Sequence, residues 1–272
     1  MKTSPIHVRP SSGVTRTDVV MALFSVLLLA LVAWAAVWVG GEKRRTWVCA
    51  HHMKTLGQAF AEYAQDHSGA LPPAVLDNGK NNTSWDSEIV VYLQPELTKS
   101  NSPRAIKSLE TQLSHLFKCP SDREPRHGGL PRSYSMPMYD INLVGWPPDH
   151  NSVGGIGLYL NAKTIKKARE ADFAESPDYV PVIKTSMVPD PADTALLVER
   201  ISNLNVLWAT KYACITSTKE QFEAKTSFAA RDFHGGKMNY LMLDGHVELM
   251  LPLQSAGFVG AGGGLWTIRA GD

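Results

Sequence analysis

The sequence predicts an α+β fold, a long N-terminal helix followed by a C-terminal antiparallel sheet, and three features carry that expectation. Val19 to Val39 is a run of 21 residues without a charge, Gly or Pro. Beyond it, Cys49, Met53, Leu56, Phe60 and Tyr63 recur at steps of 4, 3, 4 and 3, the stripe of an amphipathic helix. Near the C-terminus, Asp244-Gly245 stands between two apolar, β-prone runs within Met238 to Met250, where a tight hairpin belongs. Of the 272 residues, 44% are apolar and 19% charged, an ordinary globular balance. A net charge of +1 provides no field to draw nucleic acid, and none is expected as a partner.

Residues 1–13 are largely polar, contain Pro5 and Pro10, and read as a short leader. A helix rising 1.5 Å per residue crosses a hydrocarbon core in about 20 residues, so 19–39 reads as a membrane span. The run exceeds the apolar stretch of an ordinary secretory signal, and no small-x-small cleavage site closes it. Lys2, Arg9 and Arg16 precede the span and Lys43, Arg44 and Arg45 follow it, a near tie that leaves orientation open. Gly40-Gly41 weakens the helix locally, but helical pattern resumes as an amphipathic extension over 42–68. Lys54, Gln58, Glu62 and Gln65 lie opposite the apolar stripe, and Ser68-Gly69 with Pro72-Pro73 is a stop signal. One long helix, or two in line, thus occupies 14–68, and a head follows over 69–272.

Within the head, Trp85 to Leu93, Ala105 to Phe117 and Asn161 to Ala174 read as helices. Pro120, Pro125, Pro131, Pro137, Pro147 and Pro148 forbid continuous regular structure in the middle of the chain. Thr194 to Val198 and Asn205 to Trp208 read as strands. A two-residue turn at Asp244-Gly245 would set Met242 opposite Val247 and Tyr240 opposite Leu249.

Gly13 to Val39 resembles the type IV prepilin leader: a Gly, a short polar stretch, the acid Asp18 five positions on, then an apolar helix. Three further segments are similar to the bacterial pilin-like family described by a processing-associated H-x9-D-G motif. They are Cys49-Ala-His-His-Met-Lys-Thr-Leu-Gly-Gln-Ala59, Phe117-Lys-Cys-Pro-Ser-Asp122, and His234 to Gly245 with nine residues between His234 and Asp244. Pro191 to Glu199 fits the strand that usually precedes that motif. The resemblance implies cleavage after Gly13 by a prepilin peptidase, N-methylation of Val14, and a long helix laid on an antiparallel sheet. It also implies a pseudopilin-like subunit of the bacterial inner membrane, its N-terminus cytoplasmic and its head periplasmic or extracellular. Its partners would be membrane lipid, the peptidase and other pilin-like subunits of a pilus-like or type II secretion-like filament, with no catalysis and no cofactor. The chain departs from the pattern at Val14, where Phe is usual, at Arg16, where an apolar residue is usual, and at Asp18, where Glu is usual. These departures favour a rival in which the leader is kept and the chain is an anchored binding protein.

Asp18 stands at the edge of the span, where an unpaired carboxylate is expensive. In the family the acid pairs with the N-terminal amine of a neighbouring subunit; a headgroup-level acid with no such partner is the plainer alternative. His234, Asp244 and Glu199, with Asp232 and His246 near in sequence, also admit a metal-dependent hydrolase. The hairpin separates His234 from Asp244 by roughly 20 Å, so no metal is expected. Turn geometry explains Asp244 and Gly245, and His234 reads as a structural histidine. If Glu199 meets His234, a structural pair is favoured over an acid/base dyad, because no nucleophile motif accompanies them. Cys49 and Cys119 are either a disulfide pinning the loop-rich middle to the long helix or two inert thiols, and Cys214 reads as a core thiol.

Overall fold

The structure, a computed structural model, describes residues 15–77, 79, 82–93, 103–126, 128–148, 154–176, 178–210, 212–216, 220–221, 233–255 and 264–268. Gly13, Val14 and Asp232 lie outside the described residues. The chain divides into two compact units, Met1–Lys43 and Arg44–Asp272.

Helix α1 runs over Arg16–Asp66, and the unit boundary falls within it. In the first unit its side chains over 19–35 are exposed and, Ser25 apart, apolar, Leu23 by 65%, Leu29 by 69% and Trp34 by 71%. Among the described residues this is the one helix long and apolar enough to cross a membrane, and no part of that apolar window is buried. A core helix of such composition would be covered, because exposed apolar surface costs about 25 cal/mol per Å² in water. The run's one hydroxyl, Ser25, is satisfied inside the helix by donating to the Met21 carbonyl at 2.9 Å.

In the second unit the predicted stripe is the buried face of α1. Cys49, Met53, Leu56, Phe60 and Tyr63 are buried, while Lys54, Gln58, Glu62 and Gln65 are exposed. Phe60 stacks on Trp85 with ring centroids 5.5 Å apart, joining α1 to α2, Trp85–Leu93. A further helix, α3, occupies Pro103–Leu116.

The sheet is mixed rather than antiparallel. Its strands are β1 Val75–Asp77, β2 Asn82–Ser84, β3 Tyr134–Tyr139, β4 Gly157–Asn161, β5 Ala195–Glu199, β6 Cys214–Ile215, β7 Met238–Met242 and β8 Val247–Met250. The order is β2-β1-β4-β3-β5-β7-β8, with β6 also on β3. The β3-β5-β7-β8 half is antiparallel, as expected, but β4 runs parallel to β1 and β3, and β6 parallel to β3. A parallel neighbour requires a crossover; the one between β3 and β4 carries the short helix α4, Ile141–Val144. Gly155 makes that crossover fit, since a Cβ there would lie 2.5 Å from the Pro137 carbonyl oxygen of β3. After β4, Asn161 caps α5, Ala162–Ala171, with its side chain accepting from the Lys163 and Thr164 N–H groups.

Two expectations in the C-terminal third are corrected. Asn205 to Trp208 is a turn rather than a strand, with an isolated bridge between Val206 and Pro131, outside the sheet strands. Asn205 spends its donors locally, its N–H on the Ser202 carbonyl and its side-chain amide on the Arg200 carbonyl, while its oxygens accept from Arg126 and Arg132. The hairpin forms, but Leu241 pairs with Val247 and Tyr240 with Glu248, one residue out of the predicted register. The loop has three residues, Leu243 to Gly245: Met242 bonds His246 across it, and the Gly245 N–H closes a turn on the Met242 carbonyl. Gly245 at φ +93 supplies the left-handed residue that such a loop requires. The shift leaves Glu248 and Leu249 of β8 exposed, while β7 is buried throughout. A last short helix, α6, is Pro252–Ser255.

Candidate functional site

Four distant segments converge on one buried point in the second unit. Cys49 is the first residue of the buried stripe of α1. Cys119 lies in the loop after α3, which is fixed where its N–H meets the Ser133 hydroxyl at 3.0 Å and that hydroxyl donates to Asp122 at 2.6 Å. Glu199 is the last residue of β5, every position of which is buried. His234 sits in a tight turn just before β7 at φ 47 and ψ 31, a left-handed conformation that costs a non-Gly residue on the order of 1 kcal/mol. Packing holds it there: the ring is buried, with Nδ1 2.9 Å from the Thr46 hydroxyl and 3.4 Å from that of Ser121.

Cys49 Sγ donates to Glu199 Oε1 at 2.6 Å. His234 Nε2 is 3.2 Å from the same oxygen and 3.3 Å from Cys119 Sγ. The other carboxylate oxygen, Oε2, accepts from the Asn239 N–H at 2.7 Å. Tyr134 places its hydroxyl 3.3 Å from Cys49 Sγ. An outer layer follows, in which the Gln221 amide donates to the Glu199 carbonyl and the Tyr240 hydroxyl donates to Gln221. Cys49, Cys119 and Glu199 are 0% exposed and His234 is 5% exposed.

Burial dominates the electrostatics. It pushes the Cys49 thiol well above its usual range, with the neighbouring Cys119 thiol and the Glu199 charge adding to the shift. Burial likewise drives Cys119 up to about 11. For His234 burial acts downward, but the Glu199 carboxylate and the hydrogen bonds from Cys49 and Glu199 outweigh it and raise the imidazole to about 10.

The structure thus joins the Cys49–Cys119 and Glu199–His234 pairs, considered separately from sequence, into one cluster. Cys49 and Cys119 are free thiols. Asp244 does not join them: it lies in the hairpin turn, accepting from the His246 N–H at 3.0 Å and facing the His246 ring at 2.7 Å, with both side chains more than a third exposed. Among the described residues, the His, Cys, Asp and Glu side chains grouped closely enough to hold a metal are Cys49, Cys119, Glu199 and His234, whose ligand atoms lie within 4.8 Å of one another. Asp18 has a local partner, because its carboxylate accepts from the Thr15 N–H at 2.9 Å and hydroxyl at 2.7 Å, while Thr15 Oγ1 accepts from the Asp18 N–H. That is a capping box at the start of α1.

A second buried polar group was not anticipated from sequence. Arg132 and Asp86, both side chains fully buried, pair at 2.7 Å. Asp86 also accepts from Ser84 and from the Trp208 N–H, and Arg132 also donates to Asn205 and the Ala209 carbonyl. The ion pair ties α2 to the segment just before β3, and its hydrogen bonds tie both to the turn after β5. No family model, curated protein or solved structure matches the chain.

Proposed function

We propose that the chain is a pilin-like subunit, anchored in the bacterial inner membrane by residues 19–39 and carrying an extracytoplasmic head. The observation that carries this reading is the division of labour along α1, which presents uncovered apolar surface in its first unit and core side chains in its second. Such surface needs lipid or further copies of itself. The resemblance of Gly13 to Val39 to a prepilin leader, and of the three later segments to the pilin-like family, supports the first residues being removed and Val14 methylated. Membrane lipid, a prepilin peptidase and other pilin-like subunits are the partners of this reading, and it requires no catalytic residue.

A second reading, an anchored binding protein that keeps its leader and does not polymerise, is favoured by one observation. The capping box gives the Asp18 carboxylate partners in its own chain, the Thr15 N–H and hydroxyl both on Oδ2, so the acid has local donors without a neighbour's amine. Mechanical shearing of intact cells, followed by detection of the chain in sheared and membrane fractions, separates the two. Assembly predicts wild-type chain in the sheared fraction and Asp18→Ala retained in the membrane. Equal retention of both variants in the membrane would reject assembly and leave the anchored binding protein.

A further inference from the structure

We propose that Cys49, Cys119, Glu199 and His234 form a closed, four-coordinate zinc site that clamps the head-embedded part of α1 to the sheet and to the loop after α3. This departs from the sequence-based expectation of no metal, and it uses a set that excludes Asp244.

The donors are those of a tetrahedral site for a borderline-soft cation: two thiolates, one imidazole and one carboxylate. Bond lengths of about 2.3 Å to sulfur and about 2.0 Å to nitrogen or oxygen imply edges between ligands of about 3.3–3.8 Å. His234 Nε2 already lies 3.2 Å from Glu199 Oε1 and 3.3 Å from Cys119 Sγ. Cys49 Sγ and Glu199 Oε1 are closer, at 2.6 Å, because a thiol proton lies between them. Loss of that proton lets the two anions separate by about 0.9 Å to a tetrahedral edge. Binding sends the two thiol protons, and any proton on His234 Nε2, to solvent, and two thiolates, a carboxylate and a divalent zinc sum to a net charge of −1.

The surroundings are built as a metal's supporting layer is built. Thr46 occupies the far nitrogen of His234, Nδ1, and so aims Nε2 at the centre. The Asn239 N–H holds the second oxygen of Glu199, which leaves Oε1 to act as a single-oxygen ligand. The Tyr134 hydroxyl lies beside Cys49 Sγ and can spread the negative charge of the thiolate. A buried carboxylate and two buried sulfurs gain more from a shared cation than from one another's weak hydrogen bonds. No face of the cluster is open to solvent, so the site is structural and lacks the vacant position that hydrolysis by a bound metal requires.

The test uses the full-length chain purified in detergent. Metal content is measured by mass spectrometry of the digested protein, and thiols are titrated in denaturant with and without chelator. Wild type should hold about one zinc per chain, and its cobalt(II)-exchanged form should show a thiolate-to-cobalt charge-transfer band with intense tetrahedral d–d bands. Cys119→Ser should lower the metal content at least tenfold, while Cys214→Ser, remote from the cluster, should keep it. If Cys119→Ser does not fold, the cobalt spectrum of wild type decides: thiolate bands support the site, and their absence rejects it. A folded, metal-free chain overturns the proposal, whether two thiols are lost to a Cys49–Cys119 disulfide or all three titrate freely.

Discussion

Replacing Asp86 with Ala probes the most demanding polar contact in the head. Both partners of the Arg132–Asp86 pair are fully buried, so the substitution takes the Asp86 carboxylate away from a buried guanidinium. Breaking such a pair from one side costs about 3–5 kcal/mol. The Trp208 N–H, now 2.6 Å from the Asp86 carboxylate, loses its acceptor as well, which adds about 1 kcal/mol or more where water does not replace it. Against a total stability on the order of 5–15 kcal/mol, and with a urea dependence of about 2–3 kcal/mol per M, the unfolding midpoint should fall by about 1.3–3 M. Arg132→Met alone is also destabilising, because Asn205 and the Ala209 carbonyl lose their donor. The double variant removes both charges and should be less destabilised than the sum of the singles by about 2 kcal/mol. Urea titrations of the four proteins in one detergent, followed by tryptophan fluorescence, supply the cycle. A cost below about 1 kcal/mol for Asp86→Ala, or strict additivity in the double variant, would refute a buried and mutually dependent pair.

Other substitutions test the remaining fold assignments. Gly155→Ala drives a methyl against the Pro137 carbonyl and should cost about 2–3 kcal/mol, read as a thermal midpoint lowered by about 5–10 °C; an unchanged midpoint would contradict the tight crossover. Asn161→Ala removes the cap of α5 and should cost about 1 kcal/mol by chemical denaturation, with Asn161→Asp retaining most of the stability. Asp244→Ala should cost only about 0.5–1 kcal/mol, because the residue serves its own turn, and should leave the metal content unchanged. Loss of metal in that variant would show that Asp244 is a ligand.

Sequence pattern made the local features legible and left the long-range ones hidden. The α1 stripe was readable because helical periodicity is fixed within a few residues, and Cys49 to Tyr63 are buried as the spacing requires. The hairpin was placed correctly, but its register was not: Asp244-Gly245 fits both a two-residue loop and the last two positions of a three-residue loop, and packing of β7 selects the latter. The parallel strands went unread because β1, β4 and β6 have only two to five residues each and carry no strong alternation. The cluster was half legible. Each of its members lay in one of the recognised segments, but Cys49 is 150 residues from Glu199 and Cys119 is 115 from His234, so only the folded sheet shows that two suspected pairs are one site. The Arg132–Asp86 pair gave no signal, since buried and exposed charges look alike in a sequence.

The most direct test of the account is intact-mass and N-terminal fragment spectrometry on the chain recovered from its native membrane. A mature protein beginning at N-methylated Val14 is the predicted result, and it would tie the exposed apolar stretch of α1 to prepilin processing. A chain still beginning at Met1 would contradict that processing and leave α1 as the anchor of a membrane-bound binding protein.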